Sequence, residues 1–372
     1  HLERCGAIQR MRDCFAASLL AMTNWGYQML SRRLLLQAMA SSMVFLAVPD
    51  RQSFSQSFFR PKEEREPRLR DNLFTSDGKS LVGVSSGKNP EEMVERAVAL
   101  IGGFEKLRLE GKTVLVKPNV VSGEKSPATT NPEVLSAVVR LLYKNGAKKV
   151  YAGDMSALRT ISTRRNMERN GLLKAAQNAG AEAVIFEDFE WVSVPLPGAQ
   201  YIKEAYVTEW IFRPDIIVNL PVVKTHRSAS YSITLKNFIG CTHLRQRPYL
   251  VNPSRWEELV AEFNAAYTPD INIVDATTSM IEGGPWQGTP ERTNMVIASG
   301  DRVAADAAGL GLIKSFGKWA PVLSKSVWEQ TQLKTAISLG IGKPKEGIRL
   351  LKGAGDERFD ELFAEIQEHT GL

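Results

Sequence analysis

Cysteine is scarce in this chain of 372 residues. There are three, and Cys5 and Cys14 lie near the start, leaving Cys241 alone in the remainder. A single thiol makes no internal disulfide and supplies no ligand set for a zinc ion or an iron–sulfur cluster. It is expected to be a small buried hydrophobe. A large excess of one charge is also missing. Beyond Val48 there are 42 basic and 39 acidic residues, a net charge of +3. That excludes a protein that coats nucleic acid, whose binding face needs a strong basic excess. After Val48 no stretch reaches the roughly eighteen apolar residues of a membrane span. No Walker or dinucleotide-binding fingerprint occurs. Histidine is rare as well, and only His226 and His243 fall within the central part of the folded region.

With 43% apolar and 24% charged residues, the chain has the composition of a globular protein. It opens on His1, and residues 1–28 carry no clear period, so they read as an extension upstream of a start at Met29. Ser31-Arg32-Arg33-Leu34-Leu35-Leu36-Gln37 resembles a twin-arginine export motif, with two arginines ahead of a mild apolar run ending at Val48. Residues 29–48 are therefore expected to be an export signal or anchor, read by the twin-arginine export machinery, and the protein to be periplasmic or held at the membrane facing the periplasm. Residues 49–79 lack periodicity and hold Pro61-Lys62-Glu63-Glu64-Arg65-Glu66-Pro67, the composition of a disordered linker. The folded domain is expected over 80–372.

From Ser80 onward, short β-branched runs alternate with amphipathic segments. Leu81–Val84, Thr113–Val116, Val150–Tyr151, Ala183–Phe186, Ile216–Leu220, Ile271–Val274 and Met295–Ala298 read as strands. Asn89-Pro90 and Asn131-Pro132 are helix starts, an Asn cap followed by Pro at the first helical position. Further helices are expected near 162–179, 255–267, 302–315, 325–339 and 356–368. The alternation predicts an α/β fold with a mainly parallel sheet and helices on both faces. Residues 188–213 interrupt it and read as a β-hairpin insertion.

In such sheets ligands sit at the carboxyl ends of the strands. The predicted strands end in Lys117-Pro118-Asn119, Asp154, Lys224-Thr225-His226, Asp275 and Asp301. Lys224 and His226 point the same way along an extended chain, a pair suited to holding an anion or moving a proton, with His226 as the titrating group. They are the candidate catalytic residues. Lys117, Asn119, Lys236 and Asn237 are candidate ligand contacts, and Gly283 and Gly284 allow close backbone approach. Asp154, Asp275, Glu282 and Asp301 suit a hard divalent ion such as Mg²⁺, or ion pairs with Lys117, Lys224 and Lys236.

These residues in this order resemble the family called domain of unknown function 362. The matching pieces are Val116-Lys117-Pro118-Asn119, Asn219 to His226, Leu235 to Gly240, Asp275 to Pro285, and Ser299 to Asp306. The resemblance implies an association with iron–sulfur proteins, since some members carry ferredoxin-like cysteine repeats. This chain lacks those cysteines, so an iron–sulfur cluster of its own is not expected. Three functions follow as expectations. The first is an exported enzyme acting on a small anionic or metal-chelated substrate, in a redox pathway. The second is a non-catalytic periplasmic binding protein for an anionic ligand, although the two similar halves of such binders are missing. The third is an accessory subunit docking on a redox protein partner.

Overall fold

The computed structural model describes residues 60–157 and 162–372. The expected upstream extension, export signal and first part of the linker lie outside the described residues. Strands run, in chain order, as β1 (Glu63–Glu64), β2 (Thr75–Ser76), β3 (Lys79–Ser86), β4 (Thr113–Pro118), β5 (Lys149–Asp154), β6 (Glu182–Ile185) and β7 (Trp191–Pro195). They continue as β8 (Glu204–Thr208), β9 (Ile216–Leu220), β10 (Val222–His226), β11 (Ser230–Ser232), β12 (Ile271–Gly283), β13 (Gly288–Ser299) and β14 (Ile348–Lys352). The helices are α1 (Pro90–Leu100), α2 (Pro132–Lys144), α3 (Thr163–Asn170), α4 (Leu172–Asn178), α5 (Thr234–Asn237) and α6 (Pro248–Val251). The remainder are α7 (Trp256–Phe263), α8 (Arg302–Ser315), α9 (Ala320–Leu323), α10 (Thr331–Ser338) and α11 (Glu357–Thr370).

The fold is α/β. Strand residues alternate between two hydrophobic cores, one on each face of the large sheet. Leu115 and Ile217 face the core formed with α7, α8, α10 and α11. Val114, Val116 and Val218 face the other, formed with α1 to α4. Two helix starts follow the expected chemistry. Asn89 and Asn131 cap α1 and α2, each side chain accepting from the backbone N–H two residues on, which satisfies a donor that the helix leaves unpaired.

The expected mainly parallel sheet is mixed. Its main path is β14-β3-β13-β12-β9-β4-β5-β6. The pairs from β12 to β6 are parallel, but β13 lies antiparallel between β3 and β12. The cause is the Gly283–Gly288 turn, which folds the chain straight back from β12 into β13 without a crossover. β9 and β10 form nearly one strand bent at Pro221, and β12 is long enough to pair with both. Residues 188–213 do not form a bare hairpin: β7 and β8 pair antiparallel and take up β1 as a third strand, in a sheet of their own.

The linker expectation fails for residues 60–79, which pack on the domain. Arg68 forms an ion pair with Asp270 at 3.0 Å, with both side chains buried. It also donates to the carbonyls of Thr268 and Asp215. Phe74 is fully buried and its carbonyl accepts from Leu81 N–H. Composition misled here because one phenylalanine and one arginine anchor a segment that is polar elsewhere. Replacing Phe74 by Ala should cost about 3–5 kcal/mol, the usual loss for a buried phenylalanine. A chain beginning at Ser80 should melt well below one beginning at Arg60, as measured by scanning calorimetry.

Candidate functional site

β4, β5 and β10 deliver their carboxyl ends to one side of the sheet, where α5 and the segment 239–256 close over them. The cavity between them has a volume of about 610 Å³, within the range of small-molecule sites. Lys117 at the end of β4 and Asp154 at the end of β5 meet there at 2.7 Å, both almost wholly buried. The Asp154 carboxylate also accepts from Val120 N–H at 2.7 Å. Lys117 and Asn219 lie side by side in the sheet.

Asn237, at the end of α5, ties these groups together. Its Oδ1 accepts from Lys117 Nζ (3.1 Å) and Asn119 Nδ2 (3.0 Å). Its Nδ2 donates to the Lys117 carbonyl (3.1 Å) and to Asn219 Oδ1 (2.8 Å). All four hydrogen-bonding positions of the carboxamide are used. Asn119 then accepts from Lys224 Nζ at 2.8 Å, and the Ala128 carbonyl accepts from the same ammonium at 2.5 Å. α5 is anchored at its other end by Asp306 of α8, whose carboxylate accepts from the N–H groups of Thr234 and Leu235 and from the Thr234 hydroxyl. Burial pushes the Asp306 carboxyl up to about 7, against those hydrogen bonds.

Lys224 and His226 line the cavity together, as their two-residue spacing on β10 requires. His226 is oriented by the β10–β11 turn. Its Nδ1 accepts from the backbone N–H groups of Ser228 (3.1 Å) and Ala229 (3.2 Å) in the β10–β11 turn. A backbone N–H cannot reverse that bond, so the neutral ring carries its proton on Nε2. Burial first, then the charges of Lys236 and Lys224, hold its pKa well below the usual histidine value. Burial thus disfavours the imidazolium, and the Nδ1 contacts leave Nε2–H as the donor that the neutral ring carries. The titrating group is Lys236, lowered to about 7 by burial, with Arg247 and Lys117 adding to the effect. Its ammonium lies over the Trp256 ring, 5.9 Å from the centroid, and makes no hydrogen bond or ion pair among the described residues. Lys224 is lowered too, by burial and then by Lys236 and Lys117, with Asp154 opposing.

The four carboxylates proposed for a metal do not meet. Asp275 is buried within β12, where it accepts from Asn131 N–H (2.7 Å) and from Thr277. Glu282 is exposed near the hairpin tip and accepts from Thr289. Asp301 caps α8 and accepts from Ser80 and from Lys343 N–H. It lies at the opposite edge of the sheet, because antiparallel β13 ends beside the start of β12. Among the described residues no three His, Cys, Asp or Glu side chains are grouped to hold a metal ion. Gly284 lines the cavity and Gly283 does not. Gly284 has φ +78°, and a Cβ there would stand 2.0 Å from the Thr225 carbonyl oxygen.

Sequence reasoning missed several cavity residues. Arg247 is buried and donates to the Ile239 and Met155 carbonyls. Tyr249, Trp256 and Trp286 form aromatic walls, with Tyr249 and Trp256 5.7 Å apart. These lie in loops and at a helix start, where no periodicity marks them. Cys241 is buried and unpaired, as expected, and burial pushes its thiol up to about 12.

The family described as Domain of unknown function (DUF362) matches residues 114–311, a span that contains every cavity residue named above. The chain belongs to this family. This DUF362 protein is 27% identical over 213 residues to a thylakoid-associated protein of Synechocystis sp., covering 55% of this chain and 64% of that protein. It therefore spans less than two thirds of that relative. Among solved structures, the lactate racemase apoprotein from Thermoanaerobacterium thermosaccharolyticum aligns at 10% identity with a TM-score of 0.39, over 78% of this chain and 86% of that one.

Two outcomes test the geometry. A Cβ at Gly240 would stand 1.9 Å from Asp154 Oδ1 and 2.7 Å from Lys117 Nζ. Gly240→Ala should therefore force the pair apart and cost about 3–5 kcal/mol, the scale of breaking a buried ion pair, as read by chemical denaturation. For Lys236, the folded chain gives up its proton near pH 7 and the unfolded chain near 10.5. Between those values the unfolded state binds more protons, so stability rises with pH, and the penalty is greatest below pH 7. Lys236→Met should raise the thermal midpoint at pH 6, by about 2–4 °C for each kcal/mol relieved. The gain should shrink toward pH 10.

Proposed function

We propose that this cavity binds a small organic anion and that the protein is an exported enzyme acting on it. The observation that carries the reading is the charge imbalance. Lys117, Lys224, Lys236, Arg227 and Arg247 line the cavity against one carboxylate, Asp154, which Lys117 already engages. Of these, Lys117, Lys224 and Arg247 are buried, and buried charge without a counterion is costly. Two buried donors on the cavity wall, Arg247 Nε and Trp256 Nε1, have no acceptor, and buried donors are rarely left so. An anionic ligand supplies both the countercharge and the acceptors. The aromatic walls suit an apolar or planar body attached to the anionic group.

In this reading Lys224, already held by two acceptors, directs its remaining N–H at the anion. His226 donates from Nε2 to an oxygen of the ligand, and Lys236 exchanges a proton. Arg32-Arg33 supports export by the twin-arginine route. Replacing both with Lys should leave the protein in the cytoplasm on cell fractionation.

Calorimetric titration with oxalate tests the anion site. Lys224→Ala should weaken binding about 10–100-fold, the scale of a lost charge-assisted hydrogen bond. Affinity should fall as pH rises through about 7, where Lys236 loses its proton, approaching tenfold per pH unit for one proton taken up on binding. Equal affinity at pH 6 and pH 9, or in Lys224→Ala, would sink the reading. Turnover of a panel of carboxylates and phosphate esters, followed by mass spectrometry, separates an enzyme from a carrier.

A further inference from the structure

We infer that Lys236 is a nucleophile that condenses with the carbonyl group of an anionic aldehyde or ketone, so that the ligand class of this site is an anion bearing a carbonyl. The inference rests on the anion-binding reading above and names the chemistry that the site performs.

Three arrangements support it. Lys236 lines the cavity, yet its amine makes no hydrogen bond or ion pair among the described residues. The other two cavity lysines are committed, Lys117 to Asp154 and Asn237, Lys224 to Asn119 and the Ala128 carbonyl. Second, Lys236 and His226 flank the same ring. The ammonium is 5.9 Å and the imidazole 5.8 Å from the Trp256 centroid. A donor fixed as Nε2–H thus shares the Trp256 wall of the cavity with the amine, and a ligand reaching both would have its carbonyl oxygen polarised. Third, the charged groups around Lys236 are Lys117 from β4, Lys224 from β10 and Arg247, with Asp154 from β5 spent on Lys117. Desolvation next to other cations keeps an amine neutral and nucleophilic near neutral pH, in agreement with its lowered basicity.

In the step itself, the Lys236 nitrogen attacks the carbonyl carbon and a C–N bond forms. The carbonyl oxygen then leaves as water with both hydrogens of the amine, giving the neutral imine, which takes up one proton from solvent. His226 stays neutral and donates a hydrogen bond to that oxygen. No oxidant or reductant takes part. The anionic group of the ligand offsets the charge of the protonated imine, and Lys224 holds it.

The test incubates the full chain at pH 7 with glyoxylate and sodium cyanoborohydride, which reduces an imine to a stable carboxymethyl-lysine, followed by peptide mapping. Lys236 should be modified at least about tenfold faster than any other lysine, because an ordinary lysine amine is almost wholly protonated at pH 7. The adduct should be absent from K236R, whose fold is checked by its melting curve. Equal modification of many lysines, or an adduct elsewhere in the cavity at the same rate in K236R, overturns the inference. Oxalate has no aldehyde or ketone carbonyl and separates the two readings. Binding of oxalate without a Lys236 adduct rejects the nucleophile and leaves the anion site standing, while loss of both rejects both.

Discussion

One carboxamide holds the site together. Asn237 receives Lys117 and Asn119 on its oxygen and reaches the Lys117 carbonyl and Asn219 with its nitrogen. It thereby joins β4, β9 and α5, and through Asn119 it reaches Lys224 on β10. The network continues from Asn219 to Asn272 on β12 at 2.9 Å, and Asn272 donates to the Ser299 carbonyl on β13. Buried amides are costly unless every position is satisfied. Here each bond specifies the register of another strand, so the polar layer and the sheet depend on one another.

The network also explains why the lysines differ. Lys117 has a carboxylate, an amide and a carbonyl around it, and Lys224 has two oxygen acceptors. Lys236 stands one residue before Asn237, so its backbone is held from both sides, by that amide and by Asp306 at the start of α5. Its side chain lies over Trp256 and gains no hydrogen-bonding partner among the described residues. A half-buried amine among other cations is uncomfortable in the folded chain, and proteins keep such discomfort where binding relieves it. The same holds for Arg247 and Trp256, whose unpaired donors share the cavity.

Much of the fold was legible from local pattern. The β-branched runs at 113–116, 216–220 and 271–274 are strands, and Asn-Pro pairs at 89–90 and 131–132 start helices, because each signal acts within one element. The strand-end rule also placed Lys117, Asp154, Lys224 and His226 at one edge, since β4, β5, β9 and β10 run the same way. It misplaced Asp301 because antiparallel β13 reverses the direction on which the rule depends, and it misjudged Asp275 and Glu282 because β12 runs on beyond Val274, leaving Asp275 within the strand and carrying Glu282 to the hairpin tip. Residues 60–79 were read as a tether because a window average hides one buried Phe74 and one paired Arg68.

By itself the sequence determined that the chain folds as α/β, that its one central cysteine is a small apolar residue, and that cationic side chains gather near the ends of several strands. Each is a property of composition or of a short stretch of chain. Only the tertiary structure decided which carboxylate meets which lysine, which lysine is left without a partner, and which nitrogen of His226 bears the proton. Those outcomes depend on contacts between residues such as Lys117 and Asn237, or Lys236 and Trp256, that are far apart or unpatterned along the chain. Burial then sets their charge, and no local pattern encodes burial.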